Sequence, residues 1–138
     1  MDTIDPGPTI QALSWEECLQ VLGQEEVGRL AVVLGQQPLI FPVNYALDGE
    51  MVVFRTDTGT KLATASLSRV AFEVDQLDRE RRTATSVVVQ GVGQEVTSDF
   101  SRLFDHFREL DLDPWAPGER ARWVRILPRE ITGRRVQG

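Results

Sequence analysis

The feature that most constrains this chain is a succession of short aliphatic and β-branched segments punctuated by turn residues. Arg29 to Leu34 reads as a strand, Gly35-Gln36-Gln37 as a turn, and Pro38 to Leu47 as a second strand. Asp48-Gly49 is a two-residue hairpin signal, since these residue types accept the backbone conformations of a tight turn. Met51 to Thr56 is then a third strand, antiparallel to the second. Pro42 cannot donate to a ladder, so it is expected at an edge or a bulge. Val70 to Leu77 alternates Val70, Phe72 and Val74 with Ala71, Glu73 and Asp75, the period of a half-buried strand. Ser86 to Val96 is another strand, with Gly91 and Gly93 as bulge or close-approach points. Arg122 to Val136 is a long final strand, bent at Pro128. About six strands, several joined as hairpins, favour closure into a barrel, which removes sheet edges.

Helical segments interrupt this pattern. Ser14 and Glu17 have capping-box spacing, and Trp15, Cys18, Leu19 and Leu22 follow on one face, with Gly23 as the stop. Thr60 is placed to cap a short helix through about Ser66, and Ser98 a second long one. In the latter, Phe100, Leu103, Phe104, Phe107 and Leu110 form an apolar stripe. Residues 1–13, with Pro6, Gly7 and Pro8, read as an irregular arm, and 14–138 as a single domain. The expected class is mainly β (α+β): an antiparallel β-barrel of about six strands with two or three peripheral helices.

Charge narrows the partners. With 15 basic and 21 acidic side chains the net charge is -6, which argues against nucleic acid or an anionic membrane as partner. One cysteine and one histidine leave little material for a disulfide, a zinc site or a Ser-His-Asp arrangement. No apolar run has the length of a membrane span and the N-terminus lacks a signal-peptide pattern, so the chain is expected to be cytoplasmic.

Against this acidic background, Phe54-Arg55-Thr56-Asp57-Thr58-Gly59-Thr60-Lys61 concentrates anion-binding groups. Arginine offers a planar fork of donors and lysine a point charge. Threonine hydroxyls and a helix N-terminus at Thr60 would add further donors, and Gly59 lets the backbone approach closely. The run reads either as a phosphate cradle at a strand end or as a solvated helix cap with Arg55 in an ordinary ion pair.

Pro42-Val43-Asn44-Tyr45, then Val53-Phe54-Arg55-Thr56 with Gly59-Thr60-Lys61-Leu62, resembles the pyridoxamine 5'-phosphate oxidase-like family of FMN-binding split barrels. Ser86 to Gly91, Pro114-Trp115-Ala116-Pro117-Gly118 and Ile131 to Arg135 are similar to later segments of the family in the same order. The resemblance covers roughly residues 14 to 136. It implies FMN as cofactor. The backbone of Pro42, Val43, Asn44 and Tyr45 would lie beside the isoalloxazine ring, and Arg55, Thr56, Thr60 and Lys61 would hold the phosphate. Ser86 would add contacts near the ring. It also implies a homodimer with the site between subunits, Trp115 of one chain covering the cofactor held by the other. The chain departs from the family's oxidases in being shorter and in lacking their full C-terminal basic and aromatic signature. It is closer to the small, functionally undefined branch, whose members use FMN, a deazaflavin coenzyme, haem or no cofactor.

The remaining candidates have plain structural readings. His106 sits off the apolar stripe and reads as an exposed helical histidine, which ranks haem low. Cys18 reads as a buried structural thiol, and Trp15 and Trp123 as packing residues. Asp111 and Asp113 read as solvated loop acids. Tyr45 is either a proton donor near the ring or a strand aromatic with a wet hydroxyl. Arg79, Arg81 and Arg82 read as a hairpin tip, or as a groove for the anionic tail of a deazaflavin. No residue is expected to be catalytic in its own right. Two functions follow: an FMN-dependent oxidoreductase acting on a small molecule, or a non-catalytic flavin-, deazaflavin- or haem-binding protein.

Overall fold

A computed structural model of the chain describes residues 7–57, 62, 65–97, 101–110, 112–113 and 122–138. The described residues form seven strands and two helices: β1 (Thr9–Ala12), α1 (Trp15–Gln24), β2 (Val27–Leu34), β3 (Gln37–Asp48), β4 (Met51–Thr56), β5 (Ser66–Asp78), β6 (Thr83–Val96), α2 (Ser101–Arg108) and β7 (Arg122–Gln137). The strand order is β1-β7-β4-β3-β2-β5-β6, and a further ladder between β6 and β7 closes six of the strands into an antiparallel ring. This is the expected split β-barrel.

Strand boundaries follow the turn chemistry closely. The β3–β4 hairpin turns on Gly49-Glu50, one residue later than expected, because Asp48 still pairs with Met51 and Gly49 takes the positive φ of 63°. The expected bend at Pro128 is a bulge. Gln90 registers with Glu130 and Gly91 with Pro128, so Arg129 has no partner in the β6–β7 ladder. The N-terminal arm departs from its irregular reading: Thr9 to Ala12 form β1 and pair with Arg134 to Gln137 at the end of β7.

Alternation along the strands separates an apolar interior from the outer surface. Leu30, Val52, Phe54, Phe72, Val74, Val87, Val89 and Ile126 are essentially fully buried inside the ring. Each large side chain of this kind contributes roughly 1.5–3 kcal/mol through removal from water. Helix α1 joins this core through Cys18, Val21 and Leu22. Its N-terminus carries the expected capping box, with reciprocal Ser14 and Glu17 bonds of 3.1 and 3.0 Å. Trp15 differs from expectation. It is half exposed, because the helix face that enters the core begins at Cys18.

The C-terminal end of α1 is held by Tyr45 of β3. The last carbonyls of a helix have no intrahelical donor, and the Tyr45 hydroxyl donates to that of Leu22. The Tyr45 backbone N–H donates to Glu26 at 3.0 Å. Its ring packs edge-on against Phe72, with centroids 4.8 Å apart.

A second, smaller cluster lies outside the ring. Phe107 of α2 is fully buried against Val53 and Trp123, with Leu103, Phe104 and Leu110 partly buried around it. The apolar stripe read from sequence is therefore what seats α2 on the outer face of β4 and β7. Phe100 and the Ser98 cap lie outside the described residues.

Candidate cofactor site

The barrel opens between β3 and β4. Their ladder has only four pairs, from Asp48 and Met51 to Tyr45 and Phe54. Beyond it the two strands diverge. β3 continues toward Gln37 in register with β2 alone, while Arg55 and Thr56 continue in register with Trp123 and Arg122 of β7. One further step of the β3–β4 register would set Asn44 opposite Arg55. Both belong to the outer face, like Ala46 and Val53 of the preceding pair.

The free side of β3 is shaped by proline. In an antiparallel ladder, successive residues aim their backbone groups alternately at the two neighbouring strands. The Tyr45 N–H faces β2, so Pro42 and Pro38 aim theirs at the side that β4 does not cover. Neither proline has an N–H to offer there, which blunts the edge against addition of another strand. The expectation that Pro42 marks an edge is met.

Arg55 is half-buried and fixed from two sides. Its guanidinium carbon lies 4.9 Å from the Trp123 ring centroid, and Nη1 donates to the Leu112 carbonyl at 3.3 Å. Trp123 is a packing residue, as expected, but it also forms the platform for this cation, a role that emerges only with the β4–β7 pairing. Thr56 is buried, and its hydroxyl donates weakly to the Asp57 carbonyl at 3.5 Å. Strand alternation puts the Arg55 and Thr56 side chains on opposite faces of β4. Thr58, Gly59, Thr60 and Lys61, which would complete the cradle, lie outside the described residues, as does Trp115.

The expected side-chain roles of Tyr45 are not what the structure contains. Its hydroxyl is neither beside an open ring site nor wet; it is buried and spent on Leu22. Burial, with Glu25 nearby, pushes the phenol well above its ordinary range. Val43 also faces inward, partly buried against the core. Only the backbone of these two residues is left to serve an external ligand, whereas Pro42 and Asn44 present side chains outward.

Ser86 is not near this fork in the same chain. It pairs with Asp75 of β5 and Arg134 of β7. β6 stands opposite β3 in the six-strand ring, three strand steps away by either route. At about 4.8 Å per step this is roughly 14 Å over the surface. Beside Pro42 the outer surface instead forms a hollow of about 420 Å³, lined by Glu25, Glu26, Val27, Arg29 and Asp75. Arg29 there bridges Glu73 at 3.5 Å and Asp75 at 3.4 Å. The surplus of carboxylates makes this hollow unsuited to a phosphate.

The other candidates behave as ordinary structure. Cys18 is buried, and desolvation followed by the Glu17 charge raises its thiol pKa. His106 is exposed on α2, with Nε2 3.1 Å from Asp48 Oδ1. Arg81 pairs with Asp78 at the β5–β6 turn. Among the described residues no three His, Cys, Asp or Glu side chains converge on a possible metal position, and no helix is long and apolar enough to cross a membrane.

Comparison with known proteins bears on this arrangement. The family model described as pyridoxamine 5'-phosphate oxidase matches residues 14–135. An uncharacterized protein of Mycobacterium tuberculosis is 34% identical over 130 residues, spanning 90% of this chain and 84% of the relative. The FAD binding protein from Mycobacterium smegmatis shares the fold with a TM-score of 0.70 at 33% identity, covering 92% of this chain and 98% of that one. A FAD-binding protein from Mesorhizobium loti gives a TM-score of 0.70 at 28% identity, over 91% and 97% of the two chains.

Proposed function

The chain belongs to the pyridoxamine 5'-phosphate oxidase family, and from that premise we propose that it is a flavin-dependent oxidoreductase acting on a small molecule. The observation that carries the reading is the β3–β4 fork. It sets the proline-blunted edge at Pro42 to Asn44 beside the Arg55 guanidinium stacked on Trp123. A flavin nucleotide matches this donor set. Its phosphate takes Arg55 and Thr56, with Thr60 and Lys61 closing the cradle, and its ring lies along the backbone of Pro42 to Tyr45. FMN and FAD share that ribityl phosphate. The two relatives named for binding FAD make the longer nucleotide the natural alternative to FMN.

The bound flavin would supply the electron transfer. The protein's part is to hold the phosphate, to orient the ring against a β-edge and to keep water from one of its faces. Ser86 bears on the assembly. Because it lies across the ring of strands from the fork, it can meet the flavin only from a second copy, which supports a homodimer with shared sites and with Trp115 reaching across in the same way. His106 is engaged by Asp48, which speaks against haem ligation by this side chain.

The visible spectrum of the purified protein, followed by release and mass analysis of the bound small molecule, tests the reading and separates FMN from FAD and from a deazaflavin. Flavin absorbance that bleaches with a nicotinamide donor and recovers in air is the expected result. A protein that cannot be reconstituted with either flavin overturns the proposal. One that binds flavin but never bleaches is a non-catalytic flavin-binding protein.

A further inference from the structure

We propose that the groove on the outer face of β2, β5 and β6 is a second ligand site, built for a small molecule with an apolar body and one anionic group such as a carboxylate, sulfonate or phosphate. The groove has a volume of about 610 Å³, within the range of pockets that enclose small ligands. Its floor is made of the small residues Ala31, Ala71 and Gly91, and its wall includes Val33, half exposed, and Pro38. These supply the apolar surface.

Two irregularities of the barrel each place an arginine at this groove. Between the pairs Ala31–Ala71 and Val33–Ser66 the β2–β5 register slips, so that the four residues from Leu67 to Val70 oppose Val32 alone. Arg69 lies in that bow. On the opposite side, Arg129 is the unmatched residue of the β6–β7 bulge. Bulges re-aim side chains and are over-represented beside functional sites; here two of them, in different ladders, converge on one cavity. Both arginines are exposed, and neither forms an ion pair among the described residues, whereas Arg29, Arg81, Arg122 and Arg135 each have a carboxylate partner. In a chain of net charge -6, two cations that no described carboxylate pairs at one cavity are a local anion site. Glu130 also lines the groove and leaves its summed charge at about +1, which suits a single anionic group rather than a polyanion.

This site is separate from the fork. Pro38 precedes Pro42 on β3 by about 13 Å at strand rise, and the groove extends from there away from β4. The proposal does not rest on the flavin reading, and the two fail independently.

Titration with 8-anilinonaphthalene-1-sulfonate, an aromatic body carrying one sulfonate, tests it. The expected result is saturable binding of one probe per chain that weakens with added salt. Arg69→Gln and Arg129→Gln should each reduce affinity about tenfold, and the double variant about a hundredfold, the usual scale for a charged hydrogen bond. Thermal midpoints should be unchanged, as both side chains are at the surface. The uncharged N-phenyl-1-naphthylamine should show no dependence on either substitution. Absence of saturable binding, or affinity unaffected in the double variant, overturns the proposal. So does loss of the probe in Arg55→Ala or its stoichiometric displacement by FMN, since either result would assign the anion to the fork.

Discussion

Arg55 and Trp123 face each other across the β4–β7 ladder, and the guanidinium carbon sits 4.9 Å from the indole centroid. The contact fixes a cation at a point where β4 has just parted from β3. Stacking of this kind contributes about 1 kcal/mol at a half-buried position, and much of its effect is to cut the conformational freedom that binding would otherwise have to remove. Arg55→Ala is therefore expected to lower flavin affinity by more than tenfold while shifting the unfolding midpoint only slightly. Arg55→Lys keeps the charge but loses the planar fork and the stack, so it should recover only part of the affinity. Flavin fluorescence titration of the three proteins measures both. Equal affinity in all three would remove Arg55 from the phosphate site, and retention of full affinity by Lys61→Ala would do the same for the loop.

Tyr45 separates a backbone role from a side-chain role. Its hydroxyl is committed to the Leu22 carbonyl at the end of α1. Tyr45→Phe should cost roughly 1–3 kcal/mol, because a buried acceptor is left without a donor. Flavin affinity should stay within about twofold of wild type if β3 serves the ring through its backbone. Chemical denaturation and cofactor titration read the two effects apart. A large loss of flavin with unchanged stability would place the hydroxyl in the site after all.

What the sequence revealed was whatever is local. The Ser14–Glu17 box and the alternation of β5 act over a few residues and appear where their spacing puts them, and the Asp48-Gly49 signal misses its turn by a single residue. Contacts set by barrel closure were not legible. β1 pairs with the far end of β7, with no hairpin to announce it. The placement of Ser86 opposite Asn44 follows from strand order, which neither segment encodes alone. The inward turn of Tyr45 was available in principle, since Phe41, Val43, Tyr45 and Leu47 share one parity of β3. Arg55 stood out as a cation in an acidic chain, but its platform did not, because Trp123 reaches it only through the β4–β7 pairing.

Gly133 of β7 lies close beneath Cys18 of α1 and Leu13, which precedes the helix. A Cβ there would stand 2.7 Å from Cys18 Sγ, 2.9 Å from Leu13 Cδ1 and 3.2 Å from the Ser86 carbonyl. Gly133→Ala should therefore destabilise by about 1–3 kcal/mol, as overpacking does in a filled core. Removing the sulfur should relieve the tightest of the three contacts. The double variant Cys18→Ala/Gly133→Ala is expected to be more stable than the sum of the single effects predicts, by an interaction energy of roughly 1 kcal/mol. Additive behaviour in the denaturation cycle would mean that Leu13 or the Ser86 backbone, not the thiol, limits the approach.

The two buried acids of this region give stability a definite pH dependence. Desolvation raises the pKa of both Cys18 and Tyr45 above their ordinary values of 9.0 and 10.0. A group whose folded pKa is raised binds its proton more tightly in the folded state, so its contribution is complete below the unfolded pKa and is lost as pH rises through the folded one. Stability should hold steady from neutrality to about pH 8, then fall from about pH 9 upward as first the thiol and then the phenol ionise in the unfolded chain alone. Cys18→Ala should delay the onset of that fall, and Tyr45→Phe should flatten its upper part despite lowering stability at neutral pH. Urea denaturation of the three proteins between pH 7 and 11 follows the slopes directly. Identical alkaline slopes in all three would show that neither group is protonated more tightly in the folded chain, and with that would go the case for Tyr45 as a buried tie on α1.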